Sequence, residues 1–238
     1  MVVTDSIDSL PIVLVPGLNC SARLYGEQIP TLWRFGSVMV ADHTRDANIA
    51  AIASRILAAA PPSFALVGLS MGGYIAFEIM RQAPQRVAKL ALLDTGARPE
   101  TTEQTARRQV PMAAARAGNL RDVADESFVF FVHPDRHDDV ALRGVVRAMA
   151  EETGVEAFLR QEQAIMARAD SRPGLSAIRC PTLVLVGEQD RGTPPELAHE
   201  IADAIAGARL VVVPECGHLS TLERPQAVTK ALVEWMQA

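Results

Sequence analysis

The sequence predicts an α/β fold: a mostly parallel sheet of about six strands, flanked by helices, with a helical cap inserted after the strand that ends near Asp94. Three observations carry this. Short apolar runs of strand length alternate with helical segments through most of the 238 residues, the pattern of a parallel sheet covered on both faces. Between residues 98 and 173 the alternation stops and only helical periodicity continues. A glycine-flanked serine, in Gly68-Leu69-Ser70-Met71-Gly72, stands where one apolar run meets a helix. The chain therefore divides into a core of residues 1–97 and 174–238 and a cap of residues 98–173.

Residues 11–15 form the first strand, an apolar run closed by Pro16-Gly17. A helix over about 24–32 leads to a second strand at 37–40, and a helix at 49–59 follows. Pro61-Pro62 breaks the chain before the strand at 64–67. The helix after Ser70 covers 74–80, and a strand at 87–93 ends in Asp94-Thr95-Gly96. In the cap, helices are expected at 103–118, 139–152 and 155–169, and Phe128 to Phe131 is the aromatic cluster. Strands at 182–186 and 210–213, with helices at 195–206 and 225–237, complete the core. No room exists before Pro11 for an opening hairpin, so six strands are expected.

Composition narrows the function classes. A hydrophobic content of 49% and a mean hydropathy of +0.12 supply a substantial core. The net charge of -5, with no basic stripe, argues against nucleic-acid binding. No apolar run approaches membrane-spanning length, and the acidic start, with Asp5 and Asp8, does not read as a signal peptide. Cys20, Cys180 and Cys216 are scattered, with neither disulfide nor metal spacing. The expectation is a cytoplasmic protein with no cofactor and no metal, its partner a small molecule; a homodimer is left open.

Ser70 sits on a tight strand-to-helix turn, where flanking glycines avoid a collision between strand and helix. The helix aims its unpaired N–H groups and positive dipole end at that point. A serine hydroxyl becomes a nucleophile when a base takes its proton, and the base needs an orienting acid. Asp190 follows the strand at 182–186 in Gly187-Glu188-Gln189-Asp190, and His218 follows the last strand in Cys216-Gly217-His218-Leu219. Both fall in loops at strand carboxyl ends. Asp94 occupies a similar place and competes with Asp190 for the role of acid.

With the order Ser70, Asp190, His218, the chain resembles the α/β-hydrolases over nearly its whole length. The run Ile178 to Gly187, Thr193-Pro194-Pro195 and Glu223-Arg224-Pro225 are typical of that family. The likeness is to small capped carboxylesterases and 3-oxoadipate enol-lactonase-like hydrolases. The resemblance implies an oxyanion hole made by the backbone N–H groups of Leu18 and Met71. Pro16 stands where the family usually has a histidine, so other bonds must support that loop. The cap also lacks the tryptophan common in enol-lactonases, since Trp33 and Trp235 both lie outside it.

Asn19, Phe128, Phe131 and Leu219 are the expected substrate-binding residues, and Arg23 is near enough to Asn19 to face the acyl pocket. Met112, Phe158 and Met166 are expected in the cap core. Cys20 and Cys216 are expected as buried bystanders, and His43, His133, His137 and His199 at the surface or in the cap. The expected activity is hydrolysis of small carboxylic esters or lactones through an acyl-enzyme on Ser70. Alternatives are C–C hydrolysis, lyase or perhydrolase chemistry on the same residues, and a non-catalytic small-molecule receptor.

Overall fold

The computed structural model describes residues 9–238, and the expectations of no leader and no opening hairpin fall largely on residues 1–8, outside that range. Among the described residues, six strands form one sheet in the order β2-β1-β3-β4-β5-β6. They are β1 Ile12–Val15, β2 Val38–Val40, β3 Phe64–Leu69, β4 Val87–Leu93, β5 Thr182–Gly187 and β6 Arg209–Val213. Every pairing is parallel. The inner strands β1, β3 and β5 are buried throughout, whereas the edge strands β2 and β6 are partly open. That is why the inner strands read as unbroken apolar runs.

Successive side chains of a strand point to opposite faces, and the core divides accordingly. Val13, Val15 and Leu66 pack with the helices Ile49–Ala59, Met71–Gln82 and Pro195–Ala204. Ile12, Leu14, Ala65 and Val67 pack on the other face with the helix Pro225–Gln237, through Val228, Leu232 and Trp235. The helix expected at 24–32 is instead two short turns, Ala22–Tyr25 and Ile29–Leu32. The first closes at Gly26, whose N–H bonds back to Arg23, and Pro30 opens the second.

Between β4 and β5 lie the helices Thr102–Arg116, Leu120–Phe131, Val140–Thr153 and Val155–Met166, then a short turn at Arg172–Leu175. Thr101 and Gln104 cap the first helix reciprocally, at 3.1 and 2.9 Å. The Asp139 carboxylate accepts the Leu142 N–H at the start of the third. Leu120–Phe131 is a helix where only an aromatic cluster was expected. Its buried residues Leu120, Val123, Ala124 and Phe128 fall at helical spacing, but Asp122, Asp125 and Glu126 between them mask the stripe. Ala115, Leu120, Val123, Ala124, Ala150 and Phe158 make a small core of their own.

The sheet order reverses beside β1, since the chain passes from β1 outward to β2 and then back across to β3. Val15 pairs with Gly68, so the carboxyl ends of β1 and β3 lie side by side. Ligands of open α/β sheets bind at such a reversal.

Candidate active site

Ser70 joins β3 to the helix Met71–Gln82 with φ 56° and ψ -114°. A non-glycine residue held there is strained, and the surroundings must over-determine it. Its N–H donates to the Leu93 carbonyl at 2.9 Å, and its carbonyl accepts the Thr95 hydroxyl at 2.8 Å. Close approach accounts for two glycines. A Cβ on Gly68 would lie 2.3 Å from the Gly72 carbonyl oxygen, and one on Gly72 would lie 2.0 Å from that of Val15. The turn is thus pressed onto both its own strand and β1, which holds the Ser70 side chain at the sheet's carboxyl edge.

Two loops bring partners to it. The Ser70 hydroxyl lies 2.8 Å from His218 Nε2, and His218 Nδ1 lies 2.8 Å from Asp190 Oδ2. Asp190 Oδ1 accepts the Gly192 and Thr193 N–H groups at 2.8 and 2.9 Å, and Oδ2 accepts the Thr193 hydroxyl at 2.8 Å. The carboxyl oxygen facing Nδ1 accepts its N–H and so makes Nδ1 the protonated ring nitrogen, leaving Nε2 to accept from Ser70. Burial disfavours the charged ring, but the Asp190 charge and hydrogen bond outweigh it and hold the His218 pKa above its ordinary value. An imidazole in that tautomer can take the serine proton and keep the resulting charge beside a carboxylate.

The His218 loop is itself fixed. Its N–H donates to the Phe131 carbonyl at 2.7 Å, and the Phe131 ring stacks on the imidazole with centroids 4.6 Å apart. Buried Glu223 accepts the N–H groups of Gly217, Leu219 and His133 at 3.1, 3.0 and 2.7 Å. Asp94 does not reach His218. It lies under the sheet edge, accepting the Gly187 N–H at 3.0 Å and the Ser220 hydroxyl. Burial, with the nearby Asp190 charge, pushes its carboxyl well above the usual carboxylate range.

The loop after β1 carries Leu18 toward Ser70, and Met71 begins the helix on the other side. Three side chains support that loop. The Tyr25 hydroxyl donates to the Val15 carbonyl at 2.9 Å, and Gln161 Oε1 accepts the Asn19 N–H at 2.9 Å. His43 Nε2 donates to the Gly17 carbonyl at 2.9 Å, and burial lowers the pKa of His43 and keeps it neutral. His43 is therefore not the surface or cap residue expected; it occupies the supporting role that Pro16 leaves open. Asn19 takes φ 57°, and the Gln161 bond pins it from the helix Val155–Met166. Neither His43 nor Gln161 was legible as functional, because both meet the loop only in three dimensions.

A cavity of about 530 Å³ opens above Ser70 and His218. Leu18, Phe131 and Leu219 line it, as do Phe130, Phe158 and Ile165 from the cap. Three expectations do not hold. Asn19 lies off the cavity, its N–H turned to Gln161. Phe128 is fully buried in the core with Leu142 and Met149, beneath the Arg143 guanidinium at 4.8 Å. Arg23 pairs with Glu152 at the surface. Met112 and Phe158 are buried in the cap, whereas Met166 is half-buried and His199 exposed.

All three cysteines are free. Burial raises the Cys20 thiol to about 12 and lifts Cys216 as well, so both stay protonated. Among the described residues no cluster of His, Cys, Asp and Glu could hold a metal ion. No helix there is long and apolar enough to cross a membrane.

Known proteins share the sequence pattern and the fold. BpoC of Mycobacterium tuberculosis, whose name assigns it only provisionally to the non-heme bromoperoxidases, is 30% identical over 71% of this chain and 66% of its own length. A pimeloyl-[acyl-carrier protein] methyl ester esterase from Neisseria meningitidis is 24% identical over 91% of the chain and 88% of its own. Among solved structures, a thermophilic esterase from Thermogutta terrifontis superposes with a TM-score of 0.86 at 30% identity, covering 96% of this chain and 89% of that one. The enol-lactonase of Burkholderia xenovorans gives 0.87 at 25%, covering 97% and 92%. The model of the Alpha/beta hydrolase family matches residues 12–231; the chain is a member of the alpha/beta hydrolase family.

Proposed function

We propose that the protein is a cofactor-independent serine hydrolase of small carboxylic esters or lactones. The observation that carries the reading is the pair of 2.8 Å contacts linking Ser70 through His218 to Asp190 at the floor of a cavity. His218 Nε2 takes the Ser70 proton as the hydroxyl oxygen attacks the substrate carbonyl. Asp190 holds the ring in that tautomer and stabilises the imidazolium. The N–H groups of Leu18 and Met71 receive the negative oxygen of the tetrahedral intermediate, each worth roughly 3 kcal/mol of barrier. As the C–O bond to the leaving group breaks, the imidazolium protonates the departing alkoxide. A water deprotonated by His218 then attacks the acyl-enzyme, releasing the acid and restoring Ser70.

Support comes from the strained turn at Ser70, the buried and fully bonded Asp190, and esterase and lactonase relatives that share the fold. Hydrolysis of short p-nitrophenyl esters tests it: Ser70→Ala should lose activity to background with an unchanged circular dichroism spectrum. Retained activity would sink the mechanism. Turnover of diketones, or of peroxide with a carboxylic acid, in preference to esters would point to C–C hydrolysis or perhydrolase chemistry on the same residues.

A further inference from the structure

One wall of the cavity is polar, and the proposed mechanism does not use it. Arg108 donates through Nε to Glu100 and through Nη1 to Glu162, each at 2.7 Å. Arg168 pairs with the other Glu100 oxygen and lies over the Tyr74 ring at 4.5 Å. Two guanidinium groups and two carboxylates thus form one linked set, with both glutamates almost fully buried and Arg108 partly open to the cavity. Such a set is costly to bury, and cap and core packing would be simpler without it.

Three polar groups remain unused. Arg108 Nη2, Glu162 Oε1 and the Tyr74 hydroxyl have no hydrogen-bond partner among the described residues. None of the three is sealed from open space, and Tyr74, Arg108 and Glu162 all line the cavity that holds Ser70. Tyr74 lies four residues beyond Ser70 on the same turn and helix. Burial raises its pKa and keeps the hydroxyl protonated. The wall therefore offers a charged N–H donor, a carboxylate acceptor and a hydroxyl that can do either.

We propose that Tyr74, Arg108 and Glu162 form a subsite for an uncharged hydrogen-bonding group, a hydroxyl or a carboxamide, on the substrate's far end. The inference rests on the esterase reading for its substrate but not for its site. Charge decides the class. The Arg108 and Arg168 cations are already matched by the Glu100 and Glu162 carboxylates, so the set is neutral. An incoming carboxylate would find no uncompensated cation there and would lie against Glu162 as a like charge. An apolar end would leave three polar groups dry and unpaired. A hydroxyl or carboxamide accepts from Arg108, donates to Glu162 and changes no charge. Phe158, Ile165 and Val123, which line the same cavity, suit the methylene chain between that end and the carbonyl.

The test uses methyl esters of equal chain length ending in hydroxyl, carboxamide, carboxylate or methyl, over four to six acyl carbons. Turnover is measured on the wild-type protein and binding, by calorimetry, on Ser70→Ala. The expected result is about tenfold higher kcat/KM, and about tenfold tighter binding to Ser70→Ala, for hydroxyl and carboxamide ends than for the other two. In Glu162→Gln the ratio of carboxylate to hydroxyl turnover should rise about tenfold, because one flanking charge is gone. A flat series, or a preference for carboxylate, overturns the subsite. Preferential binding without any ester turnover would keep the subsite and overturn the esterase reading instead.

Discussion

Asp190→Asn isolates what the carboxylate does, because the neighbouring donors dictate how the amide must sit. Two backbone N–H groups, of Gly192 and Thr193, point at the Oδ1 position from 2.8 and 2.9 Å. An asparagine keeps both only by placing its carbonyl oxygen there. Its NH2 then occupies the Oδ2 position, 2.8 Å from His218 Nδ1 and within reach of the Thr193 hydroxyl, which can turn to accept. An N–H donor facing Nδ1 requires a lone pair on that nitrogen, so the ring proton moves to Nε2 and faces the Ser70 hydroxyl. The base is then in the wrong tautomer to accept the serine proton. The loss of kcat should be about 10⁴-fold, or about 5 kcal/mol of barrier, with KM changed little because the cavity is intact. Fold stability should hold, since every hydrogen bond of the carboxylate has a replacement. Steady-state kinetics on a p-nitrophenyl ester, with nitrogen NMR of His218 to read the tautomer, checks both halves. Activity within tenfold of wild type would refute the reasoning and reopen Asp94 as the acid.

Other outcomes follow from the same geometry. Neutral His218 is the required base, so kcat/KM should rise with pH through an acidic limb above the ordinary histidine value of about 6.5, because Asp190 outweighs burial there. That limb should move down in Asp190→Asn; a limb below 6.5 in the wild type would contradict it. Gln161→Leu removes the acceptor that pins Asn19, and kcat should fall about tenfold with KM held within about threefold, since only a transition-state donor is displaced. An equal rise in KM would mean that the cavity had moved instead. Gly72→Ala should cost about 3 kcal/mol or more in urea unfolding, because its Cβ meets the Val15 carbonyl at 2.0 Å. Gly144→Ala, a helical position facing open space, should stabilise by about 0.5–1 kcal/mol. Equal effects at these two glycines would undo the close-contact account of the Ser70 turn.

Much of the fold was legible because its signals are local. Unbroken apolar runs mark β1, β3 and β5, whose residues are covered on both faces. The spacing of Gly68, Ser70 and Gly72 marks the turn, where neighbouring backbones leave no room for side chains. Asp190 and His218 could be singled out because loops at strand carboxyl ends converge on one edge. The support of the site was not legible. His43 is 26 residues from Gly17, and Gln161 is 142 residues from Asn19; each is an ordinary polar residue until packing delivers it. Side-chain direction in the cap was equally hidden. Phe128 and Phe131 share a helix, yet one turns into the core and the other stacks on His218, a choice made by what each face meets. Asn19 looked like a pocket residue from its position alone, but its backbone bond to Gln161 turns it away.

The account stands most directly on whether Ser70 is an activated nucleophile in the folded protein. A fluorophosphonate probe, which reacts with such a serine by displacement of fluoride, decides it when read by peptide mass spectrometry. The predicted result is one label per chain, carried by the peptide containing Ser70, and none in His218→Ala. A folded wild-type protein that takes no label, or takes it on another residue, would contradict it.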